Sequence, residues 1–273
     1  MLAYLGPKGT FSHQAASEVA ADNEILTEYG TISDVISAVN DGKAHRGIVP
    51  IENSIEGAIN TTLDMLAFNA DLFITGEHIL CITQNIMAKK GTSPEDIRLI
   101  TSHPQAIGQC TKILRTKYKH VKTEFADSTA SAAKRAAESD GSIACIGSAS
   151  SAQIYGLDIL DKSCVDDPTN RTRFIILEKK PSLKVSPHDK SSIAFTLSNK
   201  PGSLYEALEL FAGANINMTK IESRPVKTHL GEYIFFIDID GNIDDARIYF
   251  ALDKLKQNTL FYKFLGSYKK DIS

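Results

Sequence analysis

A threonine hydroxyl lies between two guanidinium groups in the segment Asn170–Phe174, which leads into the apolar run 174–177. Such a run predicts a buried strand. Because side chains alternate along a strand, Thr172 faces one side and Arg171 and Arg173 face the other. We expect the Thr172 side to meet a substrate. The alternative is an ordinary strand start with a solvated threonine and two surface arginines.

Small polar residues follow short apolar segments at five places, each just before a segment with helical character. They are Thr10, Asn53 with Ser54, Ser102, Ser128 with Thr129, and Ser148. The N-terminus of a helix offers unpaired N–H groups and a partial positive charge to an anion. In open α/β sheets, ligands bind beyond the carboxyl ends of the strands. These junctions predict a cleft for a carboxylate or phosphate, although each residue is also a typical helix cap and not all five need face one cleft.

Motifs for other chemistries are missing from the sequence. It contains no Gly-x-Gly-x-x-Gly, no Walker loop and no Gly-x-Ser-x-Gly elbow. The four cysteines are scattered and no His-x-x-His pair occurs, so neither a metal site nor a cofactor is expected. His103 follows a predicted strand and is either an acid or base, or a capping residue.

The composition bounds the class of protein. A chain of 273 residues fits two domains, and 42% hydrophobic with 23% charged residues is typical of a globular protein. The net charge of −3 does not favour nucleic acid as a partner. The N-terminus has no signal-peptide pattern, and no apolar run could span a membrane. We therefore expect a cytoplasmic protein with reduced cysteines.

The elements that must position these residues repeat as strand, polar cluster and helix. This order indicates an α/β architecture with mostly parallel sheets. The segment 179–190 has two prolines, several charges and no periodicity, and is predicted to be a linker. The remaining residues alternate as βαββαβ, which is typical of a ferredoxin-like unit.

At this point the chain resembles a known family, the prephenate dehydratases with a C-terminal ACT domain. Five matching segments occur in the family's order. They are Tyr4–Ser12, Pro50–Ser54, Ser102–Gln105, Ser128–Ala133 and Asn170–Phe174. The C-terminal part carries the effector tetrapeptide Glu222–Pro225. The second effector motif stands here as Gly202–Tyr205, in which Ser203 and Tyr205 depart from the family pattern.

The resemblance implies a catalytic domain over residues 1–178, similar to two-lobed periplasmic binding proteins. Lobe one would comprise about 1–75 and 159–178, and lobe two about 86–158, with the ligand between them. The crossings would be 72–85 and 159–177. An ACT regulatory domain over 191–273 would follow the linker.

The resemblance also implies a reaction, in which prephenate loses carbon dioxide and its ring hydroxyl to give phenylpyruvate. Thr172 would be the catalytic residue and would donate a hydrogen bond to the departing oxygen. The implied substrate-binding residues are Thr10, Asn53, Ser54, Ser102, Gln105, Ser128, Thr129, Arg173 and Phe174. For Arg173 two readings stay open, a carboxylate partner or a structural ion-pair residue, because alternation points it away from Thr172.

The ACT domain implies L-phenylalanine as effector and a homodimer or homotetramer. The implied effector-binding residues are Gly202, Leu204, Asn215, Glu222, Ser223, Arg224 and Pro225. Ser203 and Tyr205 place the strength of effector binding in question. Two alternatives remain from the sequence, an arogenate dehydratase and a non-catalytic sensor of small anions.

Overall fold

The computed structural model describes residues 1–226 and 232–272. Its first lobe is a sheet in the order β2-β1-β3-β11-β5, with β4 paired to β3. The elements are β1 (Leu2–Leu5), α1 (Phe11–Val19), β2 (Leu26–Tyr29), α2 (Ile32–Asn40), β3 (Arg46–Asn53), β4 (Gly57–Ala58), α3 (Asn60–Asp64), β5 (Phe73–Cys81) and, after the second lobe, β11 (Arg171–Glu178). A π-helical turn, Met65–Asn69, continues α3.

The second lobe is a sheet in the order β10-β6-β9-β7-β8. Its elements are β6 (Asn85–Lys89), a 3₁₀ turn (Pro94–Asp96), β7 (Leu99–Ser102), α4 (Pro104–Gly108), α5 (Thr111–Thr116), β8 (Lys122–Phe125), α6 (Thr129–Glu138), β9 (Ile143–Gly147), α7 (Ala149–Tyr155) and β10 (Leu157–Asp161). β10 pairs with β6, so residues 157–161 belong to this sheet and not with residues 171–178 in the first lobe.

The chain crosses between the lobes over residues 82–84 and 162–170. The predicted crossing 72–85 therefore consists of β5 in the first sheet, the connection 82–84 and the first residue of β6 in the second sheet. Both sheets are mixed, not mostly parallel as predicted. β11 runs antiparallel to β3 and β5, and β6 runs antiparallel to β9 and β10, because a strand that carries the chain between lobes enters the sheet from the opposite end.

The helical segment predicted just after Asn53 and Ser54 begins only at Asn60. The side-chain oxygen of Asn53 accepts hydrogen bonds from the backbone N–H groups of Ile55 and Glu56, at 3.0 and 3.1 Å. An asparagine turn of this kind competes with helix formation. The chain then passes through Gly57 at a φ of +83° before the helix starts.

The C-terminal unit is a four-stranded antiparallel sheet in the order β13-β14-β12-β15, with two helices on one face. Its elements are β12 (Asp189–Thr196), α8 (Ser203–Gly213), β13 (Met218–Pro225), β14 (Tyr233–Asp240), α9 (Ala246–Gln257) and β15 (Phe261–Lys269). The predicted α/β class and the βαββαβ order are confirmed.

The face of this sheet without helices packs on the first lobe. Apolar side chains of both units form one buried cluster, in which Phe236, Leu265 and Tyr268 lie with Leu72 and Ile74. Burial of apolar area is the main stabilising contribution to such an interface. The C-terminal unit and the first lobe therefore share a hydrophobic core.

Gly266 is the point of closest approach between β15 and β5. Its φ is +137°, and a Cβ there would lie 2.3 Å from the carbonyl oxygen of Ile74. We expect Gly266→Ala to lower the free energy of unfolding by about 2 kcal/mol or more, because overpacking and positive-φ strain add. Urea unfolding measures this.

The control is Gly213→Ala, at the end of α8, where an added Cβ meets no atom within 4 Å. This change should be neutral or stabilise by less than about 1 kcal/mol. Equal unfolding free energies for the two variants would contradict the close contact between the units.

Candidate active site

Thr172 lies at the start of β11, directly opposite Asn53 at the end of β3. The Asn53 Nδ2 group donates to Thr172 Oγ1 at 2.9 Å and also lies 2.8 Å from Asn170 Oδ1. Asn53 is 7% exposed, so its amide is held in place. Because the Thr172 oxygen accepts from Asn53, the hydroxyl hydrogen remains to be donated to another group.

A cavity of about 350 Å³ lies between the two lobes, within the range of small-molecule sites. Seven of the predicted site residues line it: Thr10, Asn53, Gln105, Ser128, Thr129, Thr172 and Phe174. Apolar side chains cover much of its wall, among them Phe11, Ile59 and Ile82. The cavity therefore combines a ring-sized apolar surface with hydroxyl and amide groups.

Three predicted site residues lie outside the lining. Ser102 is fully buried and donates to the carbonyl oxygen of Ile146 at 2.7 Å. Ser54 accepts from the backbone N–H of Arg171 at 2.9 Å and so holds the chain beside Thr172. Arg173 points to the other side of β11, as strand alternation predicts.

Helix N-termini from both lobes reach the cavity. Thr10 caps α1 by accepting from His13 N at 3.3 Å, and Ser128 caps α6 by accepting from Ser131 N at 3.0 Å. Capping and cavity lining thus coincide at both residues. The backbone N–H groups of each first turn have no partner inside the helix and favour a carboxylate.

The charged side chains at the cavity are acidic. Within the described part of the chain, the lining residues include Glu56 and Asp127 but no lysine or arginine. His103 also lines the cavity, and its Nδ1 accepts from Gln105 N at 3.4 Å as a cap of α4. An anion bound here would be stabilised by backbone and side-chain dipoles.

The guanidinium of Arg173 is buried among three carboxylates. Nε donates to Glu52 at 2.6 Å, Nη1 to Glu77 at 3.0 Å and Nη2 to Asp238 at 2.8 Å. Arg173 is 6% exposed, and its partners hold its pKa above the ordinary value against the opposing effect of burial. Of the two readings for Arg173, the structural ion pair is correct, and its use as a substrate carboxylate partner is not supported.

Besides Arg173, Glu52 also binds a cation of the C-terminal unit. Lys220 Nζ lies 2.5 Å from Glu52 Oε2. Burial alone would raise the pKa of the Glu52 carboxyl, but Arg173 and Lys220 together lower it below the ordinary value. The charged cluster therefore joins the first lobe to the C-terminal sheet.

The lobes are joined at the cavity rim by the loop before α1. Ser148 and Ser151 donate to the carbonyl oxygen of Gly9, at 3.1 and 2.7 Å. The φ of Gly9 is +90°, and a Cβ there would lie 2.9 Å from Ser151 Oγ. Ser148, predicted at a cleft junction, thus binds the opposite lobe instead of lining the cavity.

Gln84 is a cavity residue that the sequence did not reveal. It is 3% exposed and lies in the first crossing, and its Oε1 has no hydrogen-bond partner among the described residues. No local sequence pattern distinguishes Gln84, because a glutamine after an apolar strand is common in proteins. A buried unpaired acceptor in a cavity is suited to a ligand donor.

The predicted effector residues lie in two parts of the C-terminal unit. Gly202, at a φ of +87°, precedes α8, and Leu204 lines a cavity of about 150 Å³ with Tyr233 and Phe235. Asn215, at a φ of +53°, follows α8. The tetrapeptide 222–225 lies on β13, the edge strand, and outside that lining.

Burial alternates along β13, so its residues divide between two faces. Glu222 and Arg224 face the first lobe, whereas Ser223 and Pro225 are exposed. Arg224 Nη2 donates to Asp64 of α3 at 3.1 Å. β13 is therefore in ionic contact with the lobe that carries Thr172.

Comparison with known proteins identifies the family that this chain resembles. Residues 2–182 match the family described as prephenate dehydratase, and residues 191–257 match the ACT domain. The prephenate dehydratase of Lactococcus lactis subsp. lactis is 40% identical over 98% of this chain and 96% of its own length.

Several solved structures cover nearly the whole chain. Prephenate dehydratase from Arthrobacter aurescens in complex with L-Phe is 33% identical, with a TM-score of 0.91 over 98% of this chain and 89% of that one. A quorum-quenching acylase, GqqA, is 28% identical, with a TM-score of 0.90 over 99% and 98%. No helix in the described ranges is long and apolar enough to cross a membrane.

Both the match over residues 2–182 and the identity to curated relatives along the whole chain agree with the motif order, the two-lobed fold and the cavity at Thr172. The chain belongs to the prephenate dehydratase family and carries a C-terminal ACT domain.

Proposed function

We propose that this chain converts prephenate into phenylpyruvate, carbon dioxide and water in the cavity between its two lobes. Residues 1–178 would form the catalytic domain, with residues 191–273 as the regulatory domain. The observation that carries the proposal is the Thr172 hydroxyl, which lines the cavity and accepts from Asn53, so that its own hydrogen is available to a ligand.

The substrate is a dianion with an apolar ring, and the cavity offers a matching surface. Its carboxylates would bind near the first turns of α1 and α6, where backbone N–H groups and side-chain hydroxyls are available. Phe174 and the other apolar lining residues would contact the ring. This arrangement orients the ring hydroxyl toward Thr172.

The reaction needs little besides orientation and one hydrogen bond. The bond between the ring and its carboxylate breaks, and the electron pair enters the ring as carbon dioxide leaves. The ring then expels hydroxide and becomes aromatic, and the hydroxide takes up a proton from the solvent to form water. Thr172 has too high a pKa to act as a general acid at neutral pH, so it donates a positioned hydrogen bond to the departing oxygen.

Removing this donor should impair the chemical step. We expect Thr172→Ala to lower kcat by about 100- to 1000-fold, which is typical for the loss of one transition-state donor. Thr172→Ser keeps the hydroxyl opposite Asn53 and should stay within about tenfold of the parent. Steady-state kinetics of phenylpyruvate formation measures both, and a near-normal kcat for Thr172→Ala would refute the assignment.

Arogenate is a second candidate substrate, favoured by one observation. It undergoes the same elimination but carries an ammonium group, for which Glu56 and Asp127 at the cavity are suitable partners. We expect the higher kcat/KM with prephenate, as for the curated relatives' named activity. An equal or higher kcat/KM with arogenate would reverse the preference, and activity with neither would leave only an anion sensor.

We further propose that L-phenylalanine binds the ACT domain and inhibits the enzyme. The enzyme would be a homodimer or homotetramer. The A. aurescens relative was solved with L-Phe. The edge position of β13 and the 49% exposure of Ile221 leave that strand open to a second subunit. The four cysteines are free, which agrees with a reducing compartment such as the cytoplasm.

L-phenylalanine at millimolar concentration should lower activity and raise the thermal midpoint, because a ligand that binds only the folded state stabilises it. Titration calorimetry and thermal unfolding test this, with L-alanine as the control. No heat and no shift would mean that Ser203 and Tyr205 have removed effector binding.

A further inference from the structure

The inner face of β13, the strand that carries the predicted effector residues 222–225, contacts the catalytic domain at two points. Lys220 and Arg224 are two of its inward-facing residues, with side chains 11% and 12% exposed. Lys220 lies 2.5 Å from Glu52 in β3, and Arg224 lies 3.0 Å from Asp64 in α3. Both contacts cross from the ACT domain to the first lobe.

The residue that Lys220 contacts, Glu52, is adjacent in sequence to a residue of the proposed catalytic site. Glu52 precedes Asn53, and in the register of β3 and β11 these two residues pair with Arg173 and Thr172. One Glu52 oxygen binds Arg173 at 2.6 Å and the other binds Lys220. Glu52 is therefore the direct chain neighbour of the residue whose amide meets Thr172 Oγ1.

Neutralising Glu52 requires both cations. Arg173 is shared with Glu77 and Asp238, so it has no charge in excess for Glu52. Lys190 Nζ is 2.9 Å from Glu77 and relieves that carboxylate, not Glu52. A partly buried carboxylate that loses one of its partners relaxes toward another partner or toward water. Withdrawal of Lys220 would thus displace the 52–53 backbone.

We propose that Lys220 is a positioning residue of the catalytic site, through which the ACT domain controls the Asn53–Thr172 pair. Lys220 holds Glu52 in the active arrangement. Effector binding at residues 222–225, two positions along the same strand, moves Lys220 away from Glu52 and so misplaces Asn53. The inference rests on the proposed function and adds the residue contact by which inhibition reaches the site.

The first test is Lys220→Met, which keeps the length of the side chain and removes its charge. We expect kcat to fall by about ten- to hundredfold, because small misplacements of catalytic groups cost this much, while KM for prephenate stays within about threefold. Calorimetry should show L-phenylalanine still bound, but the residual activity should no longer respond to it. Lys220→Arg should restore both kcat and inhibition.

The matched control is Lys270→Met. Lys270 is also partly buried and pairs with Asp240 at 2.7 Å, but within the ACT domain. It should keep the parent's kcat and its inhibition. A loss in Lys270→Met equal to that in Lys220→Met would assign the effect to general damage of the ACT domain and overturn the proposal.

A double-mutant cycle isolates the Glu52 step. If Lys220 acts through Glu52, then Lys220→Met should lower kcat no further in a Glu52→Gln background. Additive losses, or parent-like kcat and inhibition in Lys220→Met, would refute the proposal. Loss of L-phenylalanine binding in Lys220→Met would make Lys220 an effector ligand and refute it as well.

The failure of the proposed function is recognised separately. A parent enzyme that forms no phenylpyruvate contradicts the function itself, before any variant is compared. A parent enzyme that is active but unaffected by L-phenylalanine contradicts the effector step, while the kcat of Lys220→Met still tests positioning.

Discussion

The burial of the Arg173 guanidinium is the constraint on which the arrangement of the domains depends. A buried charge is costly unless it is fully paired and hydrogen-bonded. Arg173 meets this condition only because Glu52, Glu77 and Asp238 converge on it from three strands and two domains. The docking of the ACT domain on the first lobe therefore completes the pairing of Arg173.

One face of β11 contacts charged groups, and the other faces a cavity lined by hydroxyl and amide groups. On one face, Arg173 lies in a dense ionic cluster that joins the domains. On the other, Thr172 faces a cavity where the described lining residues include no lysine or arginine. An anion bound in this cavity would be stabilised by helix N-termini and hydroxyl groups instead of a fixed counter-charge.

Asn53 connects these two faces. Its side chain binds Thr172 Oγ1, and its own oxygen accepts from the next turn of the chain, so its amide is fixed at both ends. Its backbone neighbour Glu52 belongs to the ionic cluster. The strand end 52–53 therefore links the ionic cluster between the domains to the Thr172 hydroxyl group. The rim contacts from Ser148 and Ser151 to Gly9 fix the opposite side of the same cavity.

Local sequence patterns predicted much of the structure of this protein. Alternation placed Thr172 and Arg173 on opposite faces, and the polar junctions identified the caps Thr10 and Ser128 at the cavity, because periodicity and capping depend on neighbours in sequence. The late start of α3 was missed, since it depends on the Asn53 side chain. The contacts of the assembled chain pair Arg173 with residues 52, 77 and 238, bury Ser102 away from the cavity and place Gln84 in its lining. Those outcomes depend on which distant segments meet, and the burial that selects charge partners is a property of the assembled fold.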